Sequence, residues 1–157
     1  MFISNIAVFT KNVYDSIPQL GLVILIMELF FLVLQIGVTL QVFYTFNMSY
    51  LIIPMISAMF FFIGSAMKKI KRNFFMGIRT PWTLSSDSVW KKTHELGSKV
   101  FIMLGFVMLV TLVLPPEVFV WILMGFVLLM VGTLFIYSYL EYKKENRKTR
   151  HMKIKGR

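Results

Sequence analysis

Four long apolar segments constrain the fold of this chain more than any other feature. They lie at about residues 20–44, 50–67, 100–114 and 118–140. A membrane-spanning helix needs about 20 apolar residues, and a shorter one is accommodated by bilayer thinning or by flanking side chains. Because the backbone in lipid must satisfy its own hydrogen bonds, each segment predicts a helix. The sequence therefore predicts an all-α membrane protein with four transmembrane helices.

The distribution of charge predicts the orientation of these helices. Hydrophobic residues make up 57% of the chain and charged residues 15%, which is not the composition of a soluble domain. All 17 lysines and arginines fall on one side of a four-span arrangement. Since basic loops stay in the cytoplasm, both termini and the loop at 68–99 are predicted to be cytoplasmic, in the plasma membrane. The same rule explains the net charge of +10 without a nucleic-acid partner.

The two ends of the chain are predicted to lie outside the membrane core. In the segment 1–17, apolar residues recur at helical spacing, which predicts a short interfacial helix that ends before Pro18. No basic residue and no evident cleavage site marks the first ten residues, so we expect no secretory signal. The basic tail at 143–157 is expected to be disordered or associated with lipid.

The loop at 68–99 concentrates the polar motifs of the chain and begins with the basic run Lys68–Arg72. That run can bind anionic lipid head groups, although a topology signal alone would explain it. Gly77 permits a turn, and Pro81 favours an extended conformation at Thr80. Trp82 suits the interface between membrane and water.

Arg79 carries the most specific chemistry of this loop. Its planar guanidinium suits a carboxylate or phosphate ligand, or the helix ends of its own loop, and the sequence favours neither role. Candidate acceptors are Asp87, Glu95, a backbone carbonyl and a lipid phosphate. Because a lysine lacks the planar fork, we expect that lysine cannot replace Arg79.

The second half of the loop predicts an amphipathic helix from about residue 86 to residue 96. Ser85 or Ser86 would cap this helix, and Gly97 would end it. One face of the helix carries Val89, Trp90, Thr93 and His94. Capping and packing explain most of these residues, but Trp90 and His94 lie one turn apart and are placed to contact a partner or ligand. The helix is expected on the membrane surface or packed under the bundle.

Glu28 is the single ionisable residue within the apolar segments, and Gln35 follows it on nearly the same helix face. A carboxylate in the membrane costs about 2.5 kcal/mol or more, so such residues are expected to face the bundle. Glu28 is either a proton- or ligand-sensing group, or a carboxylate bonded to a neighbouring helix or close to water. Ser57 and Gly64 predict a close contact between helices in the second span.

The chain offers no pattern typical of an enzyme or a metal protein. Ser85, Ser86 and Asp87 lie within one turn and are better explained as caps, and His94 has no base-orienting partner in the sequence. The two histidines, His94 and His151, are too few for a metal site, and cysteine is absent. We therefore expect a non-enzymatic protein without a cofactor.

The loop also carries a dense, ungapped motif that resembles a known family. The matching residues are Asn73, Gly77, Ile78, Arg79, Thr80, Pro81, Trp82, Thr83, Leu84, Ser85, Val89, Trp90, Thr93, His94 and Gly97. Together they resemble the signature of the SdpI family of bacterial membrane proteins, which places this motif between hydrophobic helices. The resemblance implies toxin immunity in a Gram-positive cell. It also implies a toxic peptide as a partner and signalling to a cytoplasmic regulator.

Three functional hypotheses follow from the sequence. The leading one is a non-enzymatic immunity or sensor protein whose helices meet a toxic peptide and whose loop locks the bundle or reports its state. The alternative is a small transporter or permeation unit that uses Glu28. The third is an enzyme that acts on lipid head groups through Arg79 and His94. The oligomeric state is left open by all three.

Overall fold

The computed structural model describes the backbone of residues 2–155 and the side chains at 11, 14, 17–18, 20–115 and 117–148. Every regular element in that part of the chain is helical. The elements are α1 (Phe2–Gln41), α2 (Ser49–Met67), α3 (Pro81–Ser85), α4 (Asp87–Val110), a 3₁₀ turn (Thr111–Val113) and α5 (Pro116–Lys155). Four of these helices are long and apolar enough to cross a membrane. The predicted fold class, an all-α protein with four transmembrane helices, is confirmed.

The helices α2 and α4 form the centre of the bundle. They make the most extensive contact between elements, and α5 packs mainly on α4. Gly64 lets the two backbones approach closely, because a Cβ there would lie 2.9 Å from the Ser98 carbonyl oxygen. Ser57 is 1% exposed on the same helix. The predicted close helix contact at Ser57 and Gly64 is therefore confirmed.

The boundaries of α4 correct the sequence prediction of the third span. The predicted surface helix and the short apolar segment are one helix, which runs from Asp87 to Val110, and Gly97 does not end it. A Cβ at Gly97 would lie 2.7 Å from Ile78 Cδ1 and 3.2 Å from Met67 Sδ. Gly97 therefore serves close packing inside the helix rather than its termination. The last part of the motif, from Asp87 to Gly97, forms the first half of a membrane-length helix.

Both ends of the chain also differ from the prediction. The helix α1 continues through Pro18, so the segment 1–17 is not a separate helix. Most side chains of its predicted interfacial face lie outside the described residues. At the other end, α5 continues to Lys155, so the backbone of the tail is helical up to that residue rather than disordered. The alternative, association of the tail with lipid, stays a prediction. The backbone of this basic segment extends the fourth span in one helix.

Glu28 and Gln35 lie on the outer side of α1 and do not face the bundle. Both are exposed, whereas Gly37 on the same helix is buried against α2. At 3.6 residues per turn, Glu28 lies about 180° around the helix from Gly37. The expectation that these polar residues face the other helices is wrong, because α1 packs on α2 through one side only.

Candidate functional site: the motif loop clamped to the bundle

Asn73 folds the first part of the motif loop, which we define as residues 68–86. Its side chain is 1% exposed. Its amide nitrogen donates to the Lys71 carbonyl at 2.7 Å, and its Oδ1 accepts from the backbone N–H groups of Phe75 and Met76, both at 2.8 Å. One buried side chain thereby satisfies three backbone groups, which allows an irregular turn to lie against the helices.

Gly77 brings the motif loop against Trp90 and His94 of α4. Its φ is 107°, in the region that favours glycine. A Cβ at this position would overlap His94 Nε2 and would lie 3.1 Å from Trp90 Cζ2. Both the backbone conformation and the available space therefore require glycine here.

His94 uses both ring nitrogens to hold the loop. Its Nε2 accepts from the Ile78 N–H at 3.0 Å, and its Nδ1 lies 2.9 Å from the Trp90 carbonyl oxygen. Because Nε2 accepts, the proton of a neutral ring is on Nδ1, which donates to that carbonyl. The Trp90 ring stacks on His94 with centroids 4.1 Å apart, and its Nε1 donates to the Ile70 carbonyl at 2.9 Å. The two side chains fasten two points of the motif loop to α4.

Thr80 and Thr83 build α3 and attach it to α5. The Thr80 N–H donates to Thr83 Oγ1 at 2.9 Å, and the Thr83 N–H donates to Thr80 Oγ1 at 3.2 Å, which is a reciprocal capping box. Pro81 occupies the first helical position, where no N–H is needed. The Thr80 hydroxyl also donates to Ser138 Oγ of α5 at 3.1 Å. The residue that caps the five-residue helix α3 thus also attaches it to α5.

Trp82 of α3 is half-buried, whereas Ser85 is exposed. The Trp82 ring packs on α5, with its centroid 4.8 Å from that of Phe135 and 5.1 Å from that of Tyr139. The Ser85 hydroxyl donates to the Trp82 carbonyl at 2.8 Å. Ser86 caps α4, so the second of the two predicted capping residues is the one used.

Arg72, which the sequence analysis did not single out, ties the loop to the start of α4. Its Nη1 donates to the Leu84 carbonyl at 2.7 Å, and its Nε lies 2.7 Å from the Asp87 carboxylate. Asp87 was a candidate acceptor for Arg79 and is instead paired with Arg72. Within residues 2–155, the hydrogen-bond partner of the Arg79 guanidinium is the carbonyl of Phe74, and Arg79 is exposed.

Three residues on one face of α5 complete the site, and sequence reasoning missed them. Ser138, Glu141 and Glu145 follow the spacing i, i+3, i+7 of a helix face. Glu141 is 7% exposed, and its carboxylate lies 2.7 Å from the Nζ atoms of both Lys92 and Lys144. Glu145 accepts from the hydroxyl of Ser86 at 2.8 and 2.9 Å. These three residues continue the buried face of α5 that carries Met130 and Leu134. Their helical spacing is the sequence signal from which this part of the site could have been predicted.

Burying a polar side chain costs less when it has a hydrogen-bond partner, as Asn73, Thr80 and His94 do. Thr93 and Gly97 share the buried side of α4 with Trp90 and His94, and Thr93 is fully buried. The structure therefore brings together most of the motif residues, from Asn73 to Gly97, at the junction of α2, α4 and α5. Glu28 and Gln35 lie elsewhere, on α1.

The arrangement holds the helices together through hydrogen bonds and ion pairs. The hydroxyl of Ser86 donates to Glu145, and both nitrogens of His94 are engaged with backbone groups. Among the described residues, no group of three or more His, Asp or Glu side chains is placed to hold a metal ion.

The fold and the site define a multi-pass helical membrane protein with a motif loop clamped onto its bundle. Residues 69–138 match the model of the SdpI/YfhL protein family, which confirms the resemblance predicted from the loop. Immunity protein SdpI of Bacillus subtilis (strain 168) is 36% identical over 83 residues, which are 53% of this chain and 40% of that protein. The chain thus spans about two fifths of the relative's length. No solved structure gives a significant match.

Proposed function

We propose that this chain is a membrane immunity protein that protects a Gram-positive cell from a secreted toxic peptide. The similarity to an immunity protein supports this function. The structural observation that carries it is the motif loop, which follows α2 in the chain, is hydrogen-bonded to α4 and α5, and leaves Arg79 exposed. In this mechanism, the membrane helices meet the peptide, and the clamped loop keeps the bundle intact against it.

The protein acts by binding and does not catalyse a reaction. The buried side chains of Asn73, Thr80 and His94 form hydrogen bonds that stabilise one arrangement of the loop and helices. The transport alternative is less well supported, because Glu28 faces away from α2 on the outer side of α1. Among the described helices, none besides α1 encloses that carboxylate in a transport path.

Both termini and the motif loop lie in the cytoplasm in this proposal. The basic residues concentrate there, as the positive-inside rule requires. The exposed guanidinium of Arg79 has further N–H groups beyond the one that donates to the Phe74 carbonyl. These donors suit a carboxylate of a cytoplasmic regulator, which is how the loop would report the state of the bundle.

A survival assay tests the immunity function. The gene is deleted and restored in its native host, and cells are exposed to secreted toxic peptides from that host and its neighbours. Wild-type protein should restore survival, and Arg79→Lys should not, although it reaches the membrane in equal amount. Lys148→Gln is the matched control because it alters an exposed cation outside the motif loop, and it should protect fully.

Two results would count against the proposal. Equal survival with and without the gene, for every peptide tested, would remove the immunity function. Full protection by Arg79→Lys at normal expression would show that Arg79 serves only as a topology charge, and would separate the immunity function from the motif loop.

A further inference from the structure

A basic cavity lies where α2 leaves the membrane. Its volume is about 480 Å³, and residues 68–72 and 87–94 contribute to its walls. Its lining lysines are Lys68, Lys69, Lys71 and Lys91. The carboxylate of Asp87 also lines the cavity but lies 2.7 Å from Arg72 Nε, so these two charges offset each other. The lysines therefore give the cavity a net positive charge, which suits a phosphate group.

An apolar groove between α1 and α2 begins at the same place, because Lys69 lines both. The first part of the groove has a volume of about 210 Å³ and includes Leu22 and Phe62. The second part has a volume of about 310 Å³ and includes Phe62, Phe30 and Ala58. Phe62 lines both parts of the groove, and Lys69 lines both the groove and the cavity. The three spaces are therefore adjacent.

The length of the groove matches one leaflet of a bilayer. Along α2, the lining residues extend from Ala66, next to the basic cavity, to Met55. At 1.5 Å per residue, that distance is about 16 Å. The hydrocarbon core of a bilayer is about 30 Å thick, so half of it is about 15 Å. A lipid acyl chain has this length and polarity.

We propose that the cavity and the groove together bind one anionic phospholipid. Its phosphate lies among the lysines at the end of α2, and an acyl chain lies in the groove between α1 and α2. A free phosphate would share the chemistry of the cavity but would gain nothing from the groove. The cavity shares residues 68–72, Trp90 and His94 with the motif loop and its contacts on α4. Lipid binding is nevertheless a separate property, and it does not depend on the immunity function.

The bound lipid would complete the packing of α1. Among the described elements, α1 makes its main contact with α2, and only 6% of its apolar window is buried. An acyl chain between the two helices adds apolar contact along that shared side. The lipid would therefore stabilise the attachment of α1 to the rest of the bundle.

The headgroup part of the proposal is tested by equilibrium binding to the purified full chain in neutral detergent. Dioleoyl phosphatidylglycerol should bind more tightly than dioleoyl phosphatidylcholine. The double variant Lys68→Gln/Lys69→Gln should weaken phosphatidylglycerol binding by about 30-fold, since each lysine near a membrane surface contributes about fivefold. The matched control, Lys143→Gln/Lys148→Gln, removes the same charge outside the cavity and should change the affinity by less than about twofold.

The groove part is tested by Ala58→Phe, which places an aromatic ring in the second part of the groove. This variant should lose affinity for dioleoyl phosphatidylglycerol and keep its affinity for glycerol 3-phosphate, which reaches the cavity alone. Unchanged helix content and unfolding temperature show that each variant is folded. Equal binding of the two dioleoyl lipids would overturn the proposal. So would lipid binding that Ala58→Phe leaves unchanged, because the site would then be one for free phosphate.

Discussion

Substitution of Gly77 by alanine should destabilise the protein through two separate effects. The first is backbone strain, because Gly77 has a φ of 107°, which L side chains rarely adopt. The second is steric. The new Cβ would overlap His94 Nε2, so the imidazole must move away from the Ile78 N–H that it now accepts from at 3.0 Å. One methyl group thereby disturbs both the loop backbone and its attachment to α4.

The magnitude of the effect follows from these two contributions. A non-glycine residue in this backbone region costs about 1–3 kcal/mol. A buried N–H group that loses its acceptor costs about 1–3 kcal/mol more. Together, Gly77→Ala should lower the free energy of unfolding by roughly 2–6 kcal/mol. The loss is a large share of the stability of an ordinary domain.

The measurement is denaturant-induced unfolding in detergent micelles, followed by tryptophan fluorescence. Gly132→Ala is the matched control, because it makes the same substitution in α5 with nothing within 4 Å of the new Cβ. The control should be neutral or stabilising by up to about 1 kcal/mol, since alanine favours a helix. In a His94→Ala background, Gly77→Ala should cost only the backbone strain of about 1–3 kcal/mol.

The refuting result is equally specific. If Gly77→Ala and Gly132→Ala unfold at the same denaturant concentration as the wild type, the loop does not depend on the contact between Gly77 and His94. If the cost of Gly77→Ala is the same with and without the imidazole, the steric part of the reasoning is wrong.

Three further predictions concern the packing of α4, the contacts of Arg72 and the membrane topology. Trp90→Ala should cost about 3–5 kcal/mol in unfolding free energy, because Trp90 is 3% exposed. Lys91→Ala should stay within about 0.5 kcal/mol, and equal costs would contradict the packing of α4. Arg72→Lys should cost about 1.5–3 kcal/mol by the same measurement, because an ammonium cannot keep both contacts of the guanidinium; an unchanged stability would contradict this. Reporter fusions after Asn47 and Pro116 should read outside and a fusion at the C-terminus inside, and any other pattern contradicts the proposed orientation.

Hydropathy was sufficient to predict the four spans, but it did not locate the start of α4. Lys91, Lys92 and Glu95 made the first half of this helix look like a surface segment. The opposite face, with Trp90 and His94, is buried by the motif loop, which a sequence window does not reveal. Propensity therefore favoured an end at Gly97, and tertiary packing decided otherwise.

The motif residues of the loop were predictable as a group, and their partners were not. The extended conformation of Thr80 was predicted from Pro81, but the bond of its hydroxyl to Ser138 joins residues 58 positions apart. Glu141 lies between the predicted end of the fourth span at residue 140 and the predicted start of the basic tail at residue 143. Its contact with Lys92 depends on how α5 crosses α4, which local sequence does not encode. Whether Arg79 has the predicted functional role stays a prediction.

Because α5 runs without a break from Pro116 to Lys155, a movement of its basic end is transmitted to the motif loop. About 25 Å of helix separates Ser138 from Lys155 at 1.5 Å per residue. A tilt of about 10° that pivots at Ser138 would carry the far end sideways by about 4 Å. Thr80 and Ser86 are hydrogen-bonded to this helix, at Ser138 and Glu145 respectively. A molecule that pulls on the basic end would therefore strain the loop directly, without any bend in the helix between them.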